Sequence, residues 1–273
     1  EGLHGQREGM KGFFFTVDVD RDVNMQIPEE DAAGSLDRGS GVSPRFSSSA
    51  RGLGLLLDVL DEVGMKATFF FEGRTAEVAD CARASGHCIG IHGYDHEDLT
   101  LLSDERLDEV VSASFDAVSD NVGTPVCSRA PYMNADGRVL GAFRSAGLFR
   151  DSSVYTPVGG SVEPFDIDGT IELPVPKAKD ARGRTIAAYL WPMHEGKRIP
   201  EDYIAMAASM DGQMVLADHS WHMAETREGG IMGPEQERRT AEQVRTVLEG
   251  IIDAGYEPRV LSDLDTRGFR DST

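Results

Sequence analysis

The sequence has few cysteines, few basic residues and no long apolar run, and each shortage excludes a class of protein. Cys81, Cys88 and Cys127 are odd in number and form no Cys-x-x-Cys, which argues against a disulfide framework and a thiolate zinc site. Against 47 acidic residues stand 27 basic ones, and the formal net charge of −20 disfavours nucleic acid and anionic membranes as partners. The apolar runs are far shorter than the roughly 20 residues that span a bilayer.

The beginning of the chain also lacks the apolar core of a secretory signal, since it contains Glu1, Arg7 and Glu8. We therefore expect a soluble, cytoplasmic protein, with two reservations: a leader could have been processed away, and Met10 is an alternative start. The acidity suits a neutral or cationic substrate, or serves solubility alone.

What is present is an alternation of apolar, strand-like runs with amphipathic, helix-like segments. Predicted strands cover residues 12–19, 66–71, 88–92, 126–129, 148–152, 213–219 and 259–264. Predicted helices cover residues 52–63, 72–84, 103–118, 135–146 and 201–210, and a long one begins at Pro234. This alternation predicts an α/β fold with a parallel sheet, a barrel more than an open sheet, in one domain of residues 1–273 with its core at about 12–264. Residues 21–50 and 154–184 are predicted to be long loops that wall a cleft.

Polar side chains of metal-ligand type follow two of these strands. One set is Asp18-Val19-Asp20, whose carboxylates point to the same side because they are two residues apart on a strand. The other is the pair His92 and His96, with the spacing His-x-x-x-His. Two imidazoles and a carboxylate form a ligand set for a catalytic divalent metal. Taken singly, each set is equally compatible with a solvated turn or with surface histidines.

Two further strand ends carry polar groups and strengthen the metal hypothesis. They are Ser128-Arg129-Ala130-Pro131-Tyr132 and Asp218-His219-Ser220-Trp221-His222. In barrels the active site lies at the carboxyl ends of the strands, and all four sets are predicted to lie there.

In this order, the motifs resemble those of the polysaccharide deacetylase family, also called the NodB-homology family or carbohydrate esterase family 4. The resemblance covers residues 12–264 and includes the phrase Lys66-Ala67-Thr68-Phe69-Phe70-Phe71. It implies a distorted, NodB-like (β/α) barrel of about seven or eight strands, which is similar to a TIM barrel. It also implies metal-dependent removal of acetyl groups from N-acetylated sugars.

The resemblance further implies a role for individual residues. By this likeness the metal ligands are Asp20, His92 and His96. The catalytic residues implied are Asp18 as the base, Arg129 orienting it, Tyr132 contributing a backbone N–H to the oxyanion hole, His219 as the general acid and Asp151 pairing with that acid. His222 is the alternative acid.

Two positions differ from the usual family pattern. Val19 separates two aspartates that are normally adjacent, which is similar to a branch with intracellular, peptidoglycan-deacetylase-like proteins. Gly93 stands where Ser or Thr usually follows the first histidine, so we expect the ligand loop to lack a supporting hydroxyl.

Several alternatives stay open at this point. The branch includes ring-amide hydrolases such as allantoinase-like proteins, so a small cyclic amide is a second substrate class, and a non-catalytic sugar-binding barrel is a third reading. Zinc is the first choice of metal, with cobalt, nickel and iron as alternatives, because such sites accept several first-row ions. A homo-oligomer is also open.

Overall fold

The computed structural model describes residues 11–20, 25–26, 33–34, 46–78 and 81–266. Its strands, in chain order, are β1 Lys11–Val19, β2 Met25–Gln26, β3 Ala33–Gly34, β4 Thr68–Phe71, β5 Cys88–Ile91, β6 Cys127–Ser128, β7 Arg150–Asp151, β8 Phe165–Ile167, β9 Thr170–Glu172, β10 Lys177–Lys179, β11 Thr185–Ala187, β12 Met214–His219, β13 Glu225–Thr226, β14 Gly230–Ile231 and β15 Tyr256–Arg259. Its α-helices are α1 Ser47–Val63, α2 Gly73–Val78, α3 Asp104–Asn121, α4 Gly137–Ser145, α5 Trp191–His194, α6 Pro200–Ala208 and α7 Pro234–Asp253. No helix within these ranges is long and apolar enough to cross a membrane.

The main sheet runs in the order β12-β1-β4-β5-β6-β7-β9-β8, and β15 also pairs with β1. All of these pairs are parallel except β8 with β9. The sheet curls into a half-barrel surrounded by helices, which confirms the predicted single-domain α/β fold of the distorted, NodB-like barrel type.

Strand β1 is the centre of this sheet. β12 pairs with residues 13–18 on one of its edges, while β15 and β4 share the other edge, at residues 11–14 and 16–19 respectively. Its apolar side chains are completely buried, as expected for a strand covered on both faces. The register places Asp18 opposite His219 of β12 and opposite Phe70 of β4, so the carboxyl ends of these strands meet at one edge.

Helix α1 packs its Leu53, Leu56 and Leu60 into the core and ends at Gly64, whose φ of 75° allows the left-handed C-cap conformation. The helix begins at Ser47, five residues before the predicted start at 52. This early part is not apolar, so hydrophobic periodicity did not reveal it.

Gly52 of α1 makes a close backbone approach to the turn after β12. A Cβ atom at this position would lie 1.8 Å from the carbonyl oxygen of Ser220. Only glycine therefore allows the helix to pack this closely against the residues that follow His219.

Three predicted segments are wrong in detail. Residues 72–84 form α2 and a 3₁₀ turn at Ala82–Gly86 instead of one helix. The last strand, β15, ends at Arg259, where the predicted strand begins, and a 3₁₀ turn at Leu261–Asp263 follows it. The predicted loop at 154–184 contains the hairpin of β8 and β9, and β9 extends the main sheet. Most of the other predicted loop, residues 21–50, lies outside the described residues.

Candidate active site and metal centre

The predicted site residues converge on one cavity of about 180 Å³ at the carboxyl ends of β1, β5 and β12. The predicted residues among those that line it are Asp18, Asp20, His92, His96, Tyr132 and His219. Arg129 is completely buried and contacts Asp18, and Asp151 is buried at the end of β7. The structure thus places seven of the eight predicted residues in the wall of this cavity or in contact with it, and Asp151 further along the sheet.

Asp20, His92 and His96 form the candidate metal centre. Each offers one ligand atom, and these atoms all lie within 4.8 Å of one another. The Nδ1 atom of His92 lies 2.9 Å from the carbonyl oxygen of Arg129. Because a carbonyl only accepts, this contact assigns the proton to Nδ1 and leaves the lone pair of Nε2 for a cation.

The residues present fit a bound cation. Both carboxylate oxygens of Asp20 are buried and have no hydrogen-bond partner among the described residues. Burial raises the pKa of Asp20 to about 6, although the neighbouring histidines oppose the shift. A buried carboxylate without donors is costly, and a cation held between it and the two imidazoles would remove that cost.

The ligand loop that follows β5 bends through two left-handed residues, Gly93 with φ 69° and His96 with φ 55°. The carboxylate of Glu97 accepts the backbone N–H groups of Tyr94 and Asp95, at 3.0 and 2.9 Å. Burial raises the pKa of Glu97 to about 7.

A hydroxyl also supports this loop, so the expectation drawn from Gly93 is wrong. Ser114 of α3 donates a 2.7 Å hydrogen bond to the carbonyl oxygen of Gly93. The support comes from a helix 21 residues away, which local sequence could not reveal.

The carboxylate of Asp18 lies beside the metal centre and is held by two donors. Nη1 of Arg129 donates to Oδ1 at 2.9 Å, and the hydroxyl of Tyr189 donates to Oδ2. Burial alone would raise the pKa of Asp18, but the guanidinium charge of Arg129 and the tyrosine hydroxyl hold it well below its usual value. Asp18 is therefore ionised across the neutral range.

Arg129 is fixed by a full set of contacts. Its Nε donates to the carbonyl oxygen of Ser152 at 2.7 Å, and its Nη2 donates to the hydroxyls of Thr16 and Ser152 at 2.9 and 3.0 Å. The guanidinium also stacks 4.5 Å from the ring centroid of Phe70. A guanidinium held in this way has one orientation, and it presents a fixed charge to Asp18.

His219 and His222 occupy different environments. Nε2 of His219 lies 3.1 Å from the hydroxyl of Tyr189, and its side chain faces the cavity with 19% of its surface exposed. His222 is completely buried behind Trp221, with its Nε2 3.4 Å from a carboxylate oxygen of Glu195. Only His219 of the two lines the cavity, which favours the predicted choice of acid.

Tyr132 lies in the short turn Pro131–Met133 with φ 60°, and its ring packs 4.6 Å from that of His96. A non-glycine residue in the left-handed conformation is strained, and the contacts around it must keep it in that conformation. The contribution of its backbone N–H to an oxyanion hole stays a prediction.

The contacts described for Asp151 lead away from the acid with which it was predicted to pair. Its carboxylate accepts a 2.7 Å hydrogen bond from Ser128 and shares its buried environment with Glu172. Burial raises the pKa of both carboxyl groups, and the mutual repulsion raises that of Glu172 further. Nε2 of His219 lies instead 3.1 Å from the hydroxyl of Tyr189.

Sequence reasoning missed Tyr189, although its hydroxyl lies between Asp18 and His219. Its backbone bridges to Ala217 of β12, and its carbonyl accepts a 2.8 Å hydrogen bond from the hydroxyl of Tyr203. The one local signal was the short apolar run Ile186-Ala187-Ala188-Tyr189-Leu190, which resembles a buried strand.

The structure thus combines a curled α/β half-barrel with an Asp-His-His cluster and a buried Asp-Arg pair at its strand ends. The family model for polysaccharide deacetylase matches residues 50–149. Over these residues the chain matches the family that the motifs predicted, the NodB-homology family or carbohydrate esterase family 4.

Similar proteins carry deacetylase names. Chitin deacetylase 1 of Cryptococcus neoformans is 34% identical over 99 residues, which are 34% of this chain and 21% of that protein. Chitooligosaccharide deacetylase of Rhizobium leguminosarum is 31% identical over 143 residues, which are 50% of this chain and 62% of that protein. The matches thus span between about a fifth and three fifths of these relatives.

Solved structures show the same fold. A putative polysaccharide deacetylase from Mycobacterium smegmatis has a TM-score of 0.67 at 21% identity, over 97% of this chain and 92% of that one. A pseudoenzyme of the family from Bacillus anthracis has a TM-score of 0.55 at 12% identity, over 93% of this chain and 65% of that one. Because the fold includes pseudoenzymes, activity must be argued from the site.

Proposed function

We propose that this chain is a metal-dependent hydrolase that removes acetyl groups from N-acetylated sugars. The observation that carries the proposal is the placement of an ionised, Arg129-bound Asp18 beside the Asp20-His92-His96 cluster in one cavity. The family is one of hydrolases that act on N-acetyl groups, which supports the reaction class.

Asp20, His92 and His96 would hold the divalent ion, with zinc as the first choice and cobalt, nickel or iron as alternatives. A bound ion of this kind lowers the pKa of a water ligand from 15.7 towards about 7 and polarises an amide carbonyl. The chain's own residues then have to move protons and hold the substrate.

Asp18 is suited to accept a proton. It faces the cavity, it is ionised, and its two donors keep its carboxylate in one orientation. General bases of this kind contribute typically about 10²–10⁴ in rate.

His219 is suited to deliver a proton to the departing amine. Its Nε2 atom lies near the hydroxyl of Tyr189 and 3.9 Å from Asp20, so the imidazole stands on the cavity wall. Burial lowers the pKa of His219, and the charges of Asp20 and Asp18 oppose this shift. Tyr132 would place its backbone N–H towards the developing oxyanion, a class of donor worth roughly 3 kcal/mol.

The test compares metal content and acetate release in the wild type and three variants. His92→Ala should lose about one equivalent of metal by elemental analysis after dialysis, whereas His87→Ala, which removes a half-buried histidine outside the cavity, should keep it. Asp18→Asn should keep the metal and lose acetate release from N-acetylated sugar oligomers. Normal turnover in Asp18→Asn, or metal content that is independent of His92, would overturn the proposal.

The two alternatives drawn from the sequence have weaker support. Ring opening of a cyclic amide without acetate release would indicate the ring-amide reaction, but the similar proteins cited above are named as chitin and chitooligosaccharide deacetylases. A sugar-binding barrel would bind sugar oligomers and release no acetate. Cytoplasmic location and oligomeric state stay predictions.

A further inference from the structure

One permanent cation lines the candidate active-site cavity among the described residues. It is Arg227, in the turn between β13 and β14. The buried Arg129 is committed to Asp18, so it is not offered to a ligand. Arg227 therefore differs from the carboxylates, imidazoles and aromatic rings that form the rest of the wall.

The guanidinium of Arg227 has no acidic partner within the described part of the chain, whereas those of Arg198 and Arg245 are paired with carboxylates. It lies 5.8 Å from the ring centroid of Trp191, which also lines the cavity. Its five N–H donors are thus held over an aromatic surface and left for a ligand.

The turn that presents Arg227 is anchored at several points. The backbone N–H of Arg227 donates to Glu195 at 2.8 Å, and that of Met232 donates to Ala224 at 2.7 Å. At the base of the hairpin, the hydroxyl of Ser48 in α1 donates to the carboxylate of Glu225 at 2.6 Å. A cation on an anchored turn has a defined position relative to the cavity, unlike one on a free loop.

We propose that Arg227 makes this site selective for N-acyl substrates that carry a carboxylate. The inference rests on the proposed function and names its substrate class. A carboxylate matches the planar guanidinium with two parallel hydrogen bonds, and Trp191 would cover the apolar face of the same substituent. The net charge of −20 pointed to neutral or cationic substrates, but the local charge at the cavity mouth is the one a substrate meets.

A purely structural role for Arg227 is the competing explanation, because a guanidinium over Trp191 stabilises by itself. The chain offers a matched control for this role. Lys197 also lies over Trp191, with its Nζ 5.5 Å from the ring centroid, but it lies 3.8 Å from Glu228 and does not line the cavity. Removing Lys197 takes a cation from the same tryptophan without changing the charge of the wall.

The probes are N-acetylmuramic acid, whose lactyl ether ends in a carboxylate, and its methyl ester, which keeps the shape and lacks the charge. In the metal-loaded wild type the acid should be preferred over the ester in kcat/KM. Arg227→Gln should lower kcat/KM for the acid about tenfold, mostly through a higher KM, and should change kcat/KM for the ester little. The acid preference should also weaken with salt, since Arg227 is exposed.

Two further variants sharpen the result. Arg227→Lys should recover only part of the preference, because an ammonium cannot form the paired hydrogen bonds. Lys197→Gln should leave the ratio of acid to ester unchanged. Equal loss for both probes in Arg227→Gln, the same ratio in Arg227→Gln as in wild type, or an equal effect of Lys197→Gln would overturn the inference.

Equilibrium binding separates failure of this inference from failure of the proposed function. If neither probe is hydrolysed by any variant, the proposed function fails for this substrate class. Calorimetric affinities of the acid and the ester then still decide whether Arg227 recognises the carboxylate. If both probes are hydrolysed without an acid preference, the proposed function stands and the inference is wrong.

Discussion

The hydroxyl of Tyr189 offers a sharp test of the proposed chemistry, because one oxygen atom joins the predicted base to the predicted acid. Tyr189→Phe removes the donor to Oδ2 of Asp18 and the 3.1 Å contact with Nε2 of His219, while the ring still fills its buried position. The substitution touches none of the three candidate metal ligands.

The expected loss follows from what is left behind. A buried carboxylate oxygen without its donor costs about 1–3 kcal/mol. If that cost falls on the transition state, kcat decreases by about 5- to 150-fold, since each 1.36 kcal/mol is a factor of ten. Arg129 still holds Oδ1, so we expect a value within this range and not a complete loss.

The assay is acetate release at saturating substrate, with metal content and urea unfolding measured in parallel. Tyr155→Phe is the matched control, since it removes from the same cavity a hydroxyl that makes no hydrogen bond to the described residues. A kcat within twofold of wild type in Tyr189→Phe, with metal bound, would refute the role given to this hydroxyl. So would an equal decrease in Tyr155→Phe.

Three further outcomes are expected. His219→Ala should lose about 10²–10⁴ in kcat with the metal retained, whereas the buried His222→Ala should mainly lower the urea midpoint; the reverse result would mean that His222 is the acid. Burial and the charge of Asp151 raise the pKa of Glu172 well above its usual value. The contribution of Glu172 to the free energy of unfolding is therefore fully present below about pH 4.3 and is lost as the pH rises. Glu172→Gln should therefore flatten the decrease in unfolding free energy above that pH, and an unchanged slope would contradict the shift. Gly93→Ala should lower metal content more than Gly196→Ala, because both have positive φ but only a Cβ at 93 would meet neighbouring side chains, at 3.0 and 3.1 Å; equal effects would mean that backbone strain alone matters.

The parallel sheet and the metal cluster could be predicted because each depends on short segments. A buried strand in such a sheet is a continuous apolar run, and the polar residue that ends it is visible next to it. Because parallel strands have their carboxyl ends at the same edge of the sheet, Asp20 and His92 are expected to lie close together without any knowledge of side-chain contacts.

The remaining contacts depend on residues that are distant along the chain. Tyr189 and Asp18 are separated by 171 positions, and the pairing of Asp151 with Glu172 depends on β9, which was predicted to be loop. Short strands such as the three residues of β9 have too little apolar pattern to be recognised. The role of Arg227 was invisible for the same reason, since only the folded hairpin places it at the cavity.

The tight contact between α1 and the turn after His219 restricts which substitutions the sequence tolerates in α1. Gly52 carries no chemistry and lies outside the motifs, yet any side chain there would push the helix away from Ser220. The same helix carries Ser49, whose hydroxyl donates to the backbone carbonyl of Asp20. In a deep mutational scan selected on activity, position 52 should be as intolerant as a catalytic residue, although it does not line the cavity.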